Sequence, residues 1–182
     1  KLGGVYSADG QTGASARAGG GKDAGQSVKR AEELYRNAAE NPPSARVGAE
    51  ALFQLGDLLY RQGRFEESAG VYRLLLERYP GDERSAEAGL QAGWAAQRAG
   101  LFAEALELAE DGLEQSAGTA QAAEWLYLKA NCERELLKHE EAAATYAELL
   151  KKYPGSSYAE AALYEKAVAH YKESRFEAAI ET

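Results

Sequence analysis

The sequence predicts an all-α solenoid of antiparallel helix pairs, and three observations predict it. The first is a fixed period. Phe65, Phe102, His139 and Phe176 stand 37 residues apart, as do Arg64, Leu101, Lys138 and Arg175, and again Ser68, Ala105, Ala142 and Ala179. The second is a helical apolar stripe that recurs on this lattice. Tyr72, Leu75, Leu76 and Tyr79 follow the i, i+3, i+4, i+7 spacing of one helix face, and Tyr146, Leu149, Leu150 and Tyr153 repeat it. The third is punctuation: Gly63 and Gly100 close the first helix of a pair, while Pro80 and Pro154 stop the second. One pair cannot bury such stripes, whereas stacked neighbours can, at about 1.5–3 kcal/mol for each Leu or Phe buried.

Taken in order, residues 1–26 are rich in Gly, Ala and Ser and lack periodicity, which reads as a flexible tether. Residues 27–43 hold a half repeat: Val28 to Glu40 is the second helix of a pair whose first helix is missing, closed by Pro42-Pro43. Repeats follow at about 44–81, 82–118, 119–155 and 156–182, the last truncated inside a second helix. Asp82, Thr119 and Ser156 share the lattice and are residue types that accept the free N–H groups of a helix start, and Ser157-x-x-Glu160 has the capping-box form. Gly56, Gly93, Ala130 and Ala167 supply small side chains where the helices of a pair approach. The chain has no Met, so it is expected to be cut from something longer.

These residues resemble the tetratricopeptide repeat pattern W-x-x-L-G-x-x-Y, then A-x-x-x-F, then P. The first full repeat has Leu52-x-x-Leu55-Gly56-x-x-Leu59, Ser68-x-x-x-Tyr72 and Pro80; the third has Leu126, Ala130, Ala142-x-x-x-Tyr146 and Pro154. The second is degenerate, with Gly89, Ala92, Gly93 and Ala96. The resemblance covers residues 27–182 and implies a right-handed α-α superhelix. The period exceeds the family's usual 34; the three extra residues follow the proline and are expected to lengthen the next first helix. The segments Tyr79-Pro80-Gly81-Asp82 and Tyr153–Ala162 look like inter-repeat segments of bacterial envelope proteins of this family, such as the Tol–Pal-associated periplasmic protein and the lipoprotein of the outer-membrane assembly machine. That likeness implies a periplasmic or envelope-associated place, with the cytoplasm as the alternative.

Composition narrows the function. A net charge of −8 argues against nucleic acid as a partner, since phosphate binding needs a cationic surplus. No apolar run reaches the ~18–20 residues of a transmembrane helix. The single cysteine, Cys132, permits neither an intrachain disulfide nor a cysteine-based zinc site; it aligns with Leu58, Ala95 and Ala169 and reads as a buried thiol. His139 stands where other repeats have Phe and reads as a packed turn residue, and His170 as a satisfied or partly exposed one. Glu66-Glu67 and Glu140-Glu141 open second helices, where carboxylates meet the favourable end of the dipole, and need no metal. No catalytic motif, cofactor site or metal site emerges, so the chain is expected not to be an enzyme.

In the family, first helices line a concave groove that holds a peptide. The resemblance places Phe53, Asp57, Tyr60 and Arg61 there, then Leu90, Trp94, Gln97 and Arg98, then Tyr127, Asn131 and Arg134, and finally Tyr164, Val168, Tyr171 and Lys172. Trp, Tyr and Arg dominate binding hot spots. About half of the six aromatics are expected to face the groove, with Trp94 foremost; Trp125 is expected to pack between helices. Asn131 matches the Asn of the family's carboxylate clamp for chaperone tails, but Tyr127, Glu165 and Ala161 replace its other polar groups, so that clamp is absent. The expected function is a non-enzymatic scaffold binding a protein or peptide in an aromatic groove of an envelope complex. The alternatives are an array that stacks on itself or on flanking repeats through Phe176–Thr182, and a regulatory helical domain of a larger protein.

Overall fold

The lattice of apolar stripes folds into helices of similar length. The computed structural model describes the backbone of residues 13–172 and 176–180, and their side chains from Gly25 onward except that of residue 177. Its helices are α1 (Gly13–Glu40), α2 (Ala45–Arg61), α3 (Phe65–Arg78), α4 (Ser85–Arg98), α5 (Phe102–Gln115), α6 (Gln121–Glu135), α7 (His139–Lys152), α8 (Ala159–Lys172) and α9 (Phe176–Ile180). Each packs on its sequence neighbours, and α4 also meets α6. Helix is the regular structure of the described residues, as an all-α superhelical array requires. α1 begins at Gly13, inside the segment that composition reads as tether; residues 1–12 lie outside the described residues.

Among the described residues, the turn within a pair is one geometry used three times. Arg64, Leu101 and Lys138 each donate a backbone N–H to the carbonyl five residues back, on Leu59, Ala96 and Glu133, at 2.8–3.0 Å. The residue before each donor is left-handed: Gly63 at φ 76° and Gly100 at φ 81°. This is the Schellman ending, which favours glycine because a Cβ is strained there. The third copy places Leu137 at φ 63°, with 76% of its surface exposed. Leu137→Gly therefore gives up little buried area and relieves left-handed strain. Urea unfolding is expected to show it more stable by about 1 kcal/mol; an unchanged or lower midpoint refutes the strain.

Between pairs the structure corrects two expectations. Asp82, Thr119 and Ser156 do not cap helices. Their carbonyls accept from Ser85, Ala122 and Ala159 at 3.0–3.2 Å, which closes a tight turn ahead of each first helix. The Asp82 carboxylate turns back to the N–H of Arg84 at 3.1 Å and its guanidinium at 2.7 Å. The residues after each proline thus enter this turn. They do not lengthen the next helix: α4 spans 14 residues, as α3 does. A side-chain cap does occur at Ser44, which accepts the N–H of Val47, off the lattice positions.

The core runs along the array as three linked clusters. Tyr72, Leu75, Ala88 and Ala92 share one, Leu90, Trp125, Leu128 and Cys132 another, and Leu126, Ala130, Tyr146, Leu149 and Ala162 the third. Close approach inside a pair is visible at Gly56, where a Cβ would stand 2.7 Å from the Tyr72 ring. Gly93 serves a different contact from the one expected. A Cβ there would meet Leu128 of the next pair at 2.6 Å and the Trp125 ring at 3.3 Å, because its own pair offers the small Ala109 where Tyr72 and Tyr146 stand elsewhere.

Candidate functional site

The first helices α2, α4, α6 and α8 are bridged one to the next by side chains. Arg84, at the start of α4, reaches Glu50 of α2 at 2.7 Å. Trp94 Nε1 on α4 donates to the Glu124 carboxylate on α6 at 3.0 Å. Arg134 on α6 pairs with Glu165 on α8. The second helices are bridged separately, Arg36 to Glu67 at 3.6 Å and Arg73 to Glu104 at 2.9 Å. The two helix sets thus form two faces, and the expected groove residues lie on the first.

On that face the structure assembles one dense aromatic group. Tyr127 stacks on Tyr158 with ring centres 5.0 Å apart, lies 6.1 Å from Tyr146 and meets Trp94 at 6.3 Å. Trp94 and Tyr127 are half-buried, so each keeps an open face. Glu124 anchors the group: it accepts from Trp94 and also holds the Tyr158 hydroxyl, whose ionisation burial and this carboxylate both push up. Tyr146 is buried and donates to Asn131 Oδ1 at 2.6 Å. The polar side chain expected to face a ligand is therefore 6% exposed and engaged within the fold.

Two smaller groups flank it. Phe53 packs edge-on against Tyr72 at 5.7 Å, and the Tyr72 hydroxyl donates to Asp57 at 2.5 Å. Tyr60 meets Phe65 at 5.1 Å, and the Arg98 guanidinium lies 4.9 Å above the same ring, a cation–π contact. Arg61 projects into solvent, 3.9 Å from Asp57 at nearest approach. Tyr164 is 69% exposed, and Tyr171 packs on Phe176 at 5.6 Å, away from the central group. Leu90 departs from its expected groove position. Leu90 is 5% exposed and belongs to the core cluster that holds Trp125, Leu128 and Cys132. Arg134 pairs with Glu165 and Glu135.

Residue type did not single out Glu124, Tyr158, Tyr146 and Phe65 as the partners of these groove residues. A signal existed for three of them: Glu124 shares the 37-residue lattice with Glu50 and Glu87, Tyr146 with Tyr72, and Phe65 with Phe102. Tyr158 had none, since Val47, Arg84 and Gln121 hold its equivalent positions.

The remaining reactive groups are embedded. Cys132 is buried, and burial, with Glu133 and Glu135 nearby, pushes its thiol up to about 12. Glu133 is 6% exposed where other repeats carry Leu59 and Ala96. It accepts from Thr145 at 2.7 Å, with Lys129 at 3.7 Å and Glu110 and Glu141 as like charges in its field. Burial dominates and raises its carboxyl above the usual range. A raised carboxyl favours the fold when protonated, so its contribution is present at acid pH and lost as pH rises from the unfolded pKa through the folded one. Glu133→Gln is expected to be more stable than the native chain at pH 7, on the order of 1 kcal/mol. That gain should shrink as pH falls through the carboxylate range, as thermal melts at several pH values would show. Glu32 and Asp82, whose carboxyls arginine contacts hold low, act in the opposite sense and are common to both proteins. Among the described residues no cluster of three or more His, Cys, Asp or Glu could hold a metal, and no helix is long and apolar enough to cross a membrane.

Comparison with known proteins agrees with this architecture. The family model described as Tetratricopeptide repeat matches residues 23–83 and 90–157. A search of curated proteins returns no match. Among solved structures, a MamA protein superposes with a TM-score of 0.70 at 18% identity, over 90% of this chain and 82% of that one. MamA from Desulfovibrio magneticus RS-1 gives 0.63 at 15% identity, over 83% and 90%. A Podosopora anserina putative kinesin light chain of nearly identical repeats gives 0.71 at 14% identity, over 91% and 86%. At these identities the likeness is one of fold.

Proposed function

The chain belongs to the tetratricopeptide repeat family, and on that premise we propose that it is a non-enzymatic interaction scaffold that holds a peptide or protein segment against the first-helix face. The observation that carries the reading is the aromatic group of Trp94, Tyr127 and Tyr158, pre-organised by Glu124 and half open. Rings fixed by their neighbours lose little side-chain entropy on binding, which is how a small number of aromatics supply most of an interface's affinity. Phe53, Asp57, Tyr60, Arg61 and Arg98 extend the surface toward the N-terminal repeats, and Tyr164 and Tyr171 toward the C-terminal one. Asn131 and Arg134 act from behind, by holding Tyr146 and α8.

We place the scaffold in a bacterial cell-envelope complex, supported by the Tyr-Pro-Gly segments at Tyr79 and Tyr153 that separate the repeats. The test is a crosslinked capture from envelope and cytosolic fractions, native chain beside the double variant Trp94→Ala/Tyr127→Ala, followed by titration of the captured protein. The expected result is an envelope protein held by the native chain, with at least about tenfold weaker binding by the variant and unchanged helicity. Equal binding by both removes the aromatic face from the function. Capture from the cytosolic fraction alone removes the envelope.

A second reading rests on α8 and α9, where Leu163, Tyr164, Tyr171, Phe176 and Ile180 are between 44% and 85% exposed. Such a face suits stacking on another repeat. Light scattering that stays monomeric at high concentration would count against stacking on a second copy.

A further inference from the structure

The second repeat lacks two large side chains that its neighbours have. Gly89 stands where Leu52, Leu126 and Leu163 stand, and Gly112 where Leu75 and Leu149 stand. Trp125 fills part of the space, its ring lying over Gly112. The remainder is a cleft of about 200 Å³ between α3, α5 and the first turns of α4 and α6. Leu76, Leu108, Trp125 and Gly89 form its floor. A Cβ at Gly89 would come no nearer than 4.0 Å to Leu76 and Trp125, so the space reaches the backbone. The hydroxyls of the lining are already engaged, Ser116 Oγ by the Gly112 carbonyl at 2.6 Å, Ser85 Oγ by the Tyr79 carbonyl at 2.8 Å and Thr119 Oγ1 by the Ser116 carbonyl at 2.8 Å, while Gln115 and Gln121 add amide groups to a mainly apolar lining.

The wall of the cleft is charged. Asp111 lines it. Glu107 and Glu114 fall on the same face of α5, one turn before and one turn after, and all three are exposed. α5 carries no basic residue to neutralise them. An apolar hole beside an acidic ridge selects a ligand with the opposite pairing. We propose that this cleft docks one large apolar side chain of a partner protein, carried in a basic segment whose Lys or Arg residues meet Glu107, Asp111 and Glu114. Size supports an aromatic or leucine anchor, since an apolar cavity of ~150 Å³ accepts benzene. The apolar anchor supplies affinity, and the charges supply steering and salt dependence. The lining includes none of Trp94, Tyr127 and Tyr158, so the site is independent of the groove reading.

The test is a titration followed by ¹⁵N–¹H NMR, with a blocked peptide of one phenylalanine flanked on each side by two lysines. The expected result is a shift of the Gly89 and Gly112 amides and of the Trp125 indole. An alanine-for-phenylalanine peptide should bind about tenfold more weakly, as should a glutamate-for-lysine one. Gly89→Leu, which restores the residue of the other repeats, should raise the melting temperature and abolish the shifts. The triple variant Glu107→Gln/Asp111→Asn/Glu114→Gln, on the surface and harmless to folding, should weaken binding and flatten its salt dependence. Equal binding of the alanine peptide, shifts confined to Trp94 and Tyr127, or unaltered binding by Gly89→Leu overturns the proposal.

Discussion

Trp125→Ala is expected to destabilise the chain by about 3–5 kcal/mol, and restoring a leucine at position 112 is expected to recover most of that loss. Trp125 is 4% exposed, and its lattice equivalents are Ala51, Ala88 and Ala162. The residue it covers, Gly112, has leucines as equivalents. In the neighbouring junctions Ala88 shares a core cluster with Leu75, and Ala162 shares one with Leu149. Large and small have exchanged places at the α5–α6 junction, the Trp125 ring taking the place of a side chain at Gly112. Close-packed interiors tolerate such volume-conserving exchanges at under about 1.5 kcal/mol. Gly112→Leu alone drives a side chain into the indole and should cost about 1–3 kcal/mol or more. The double variant Trp125→Ala/Gly112→Leu returns the junction to the pattern of its neighbours. Urea unfolding of the four proteins measures the coupling. Recovery of most of the loss is expected; simple addition of the two single costs would mean that the positions do not share a space.

That exchange shows where a linear reading succeeds and stops. The period set the helices because every repeat must bury the same stripe, so α3 and α7 begin at Phe65 and His139 and end before their prolines. It placed Trp125 between helices but not against Gly112, since the lattice compares equivalent positions and packing conserves the sum over unlike ones. Leu137 was invisible for a related reason. The hydrogen bonds of the turn outweigh the strain of a single left-handed leucine, so the turn keeps its geometry when the glycine is lost. Asp82, Thr119 and Ser156 have capping chemistry, yet their carbonyls close a turn first and the helix starts beyond them. On the candidate face, residue type pointed to Trp94 and Tyr127. It did not reveal that Asn131 and Arg134 are hydrogen-bonded to Tyr146 and Glu165, partners 15 and 31 residues away.

The second large loss is expected at Tyr146. Tyr146→Ala removes a ring that is fully buried, worth about 3–5 kcal/mol. It also withdraws the support on which Tyr127 leans at 6.1 Å, so partner binding should fall with stability. Tyr146→Phe separates the two effects. The ring stays, but the Asn131 carbonyl loses its donor inside a site that is 6% exposed, where an unmet polar group costs about 1–3 kcal/mol. Binding should survive that change. The equivalent substitution in the first repeat, Tyr72→Phe, deprives Asp57 of a donor at 2.5 Å, but the Asp57 side chain is 29% exposed and water can replace the hydroxyl. Two tyrosines at one lattice position should therefore differ: urea unfolding is expected to show Tyr146→Phe costing more than Tyr72→Phe. The reverse order would mean that the charge of the Asp57 acceptor, worth about 1.5–3 kcal/mol in a charge-assisted bond, outweighs the burial of Asn131. It would also shift the best-fixed part of the face from the Tyr127 group to the Phe53 group, and the partner's contacts would then be sought along α2 before α6.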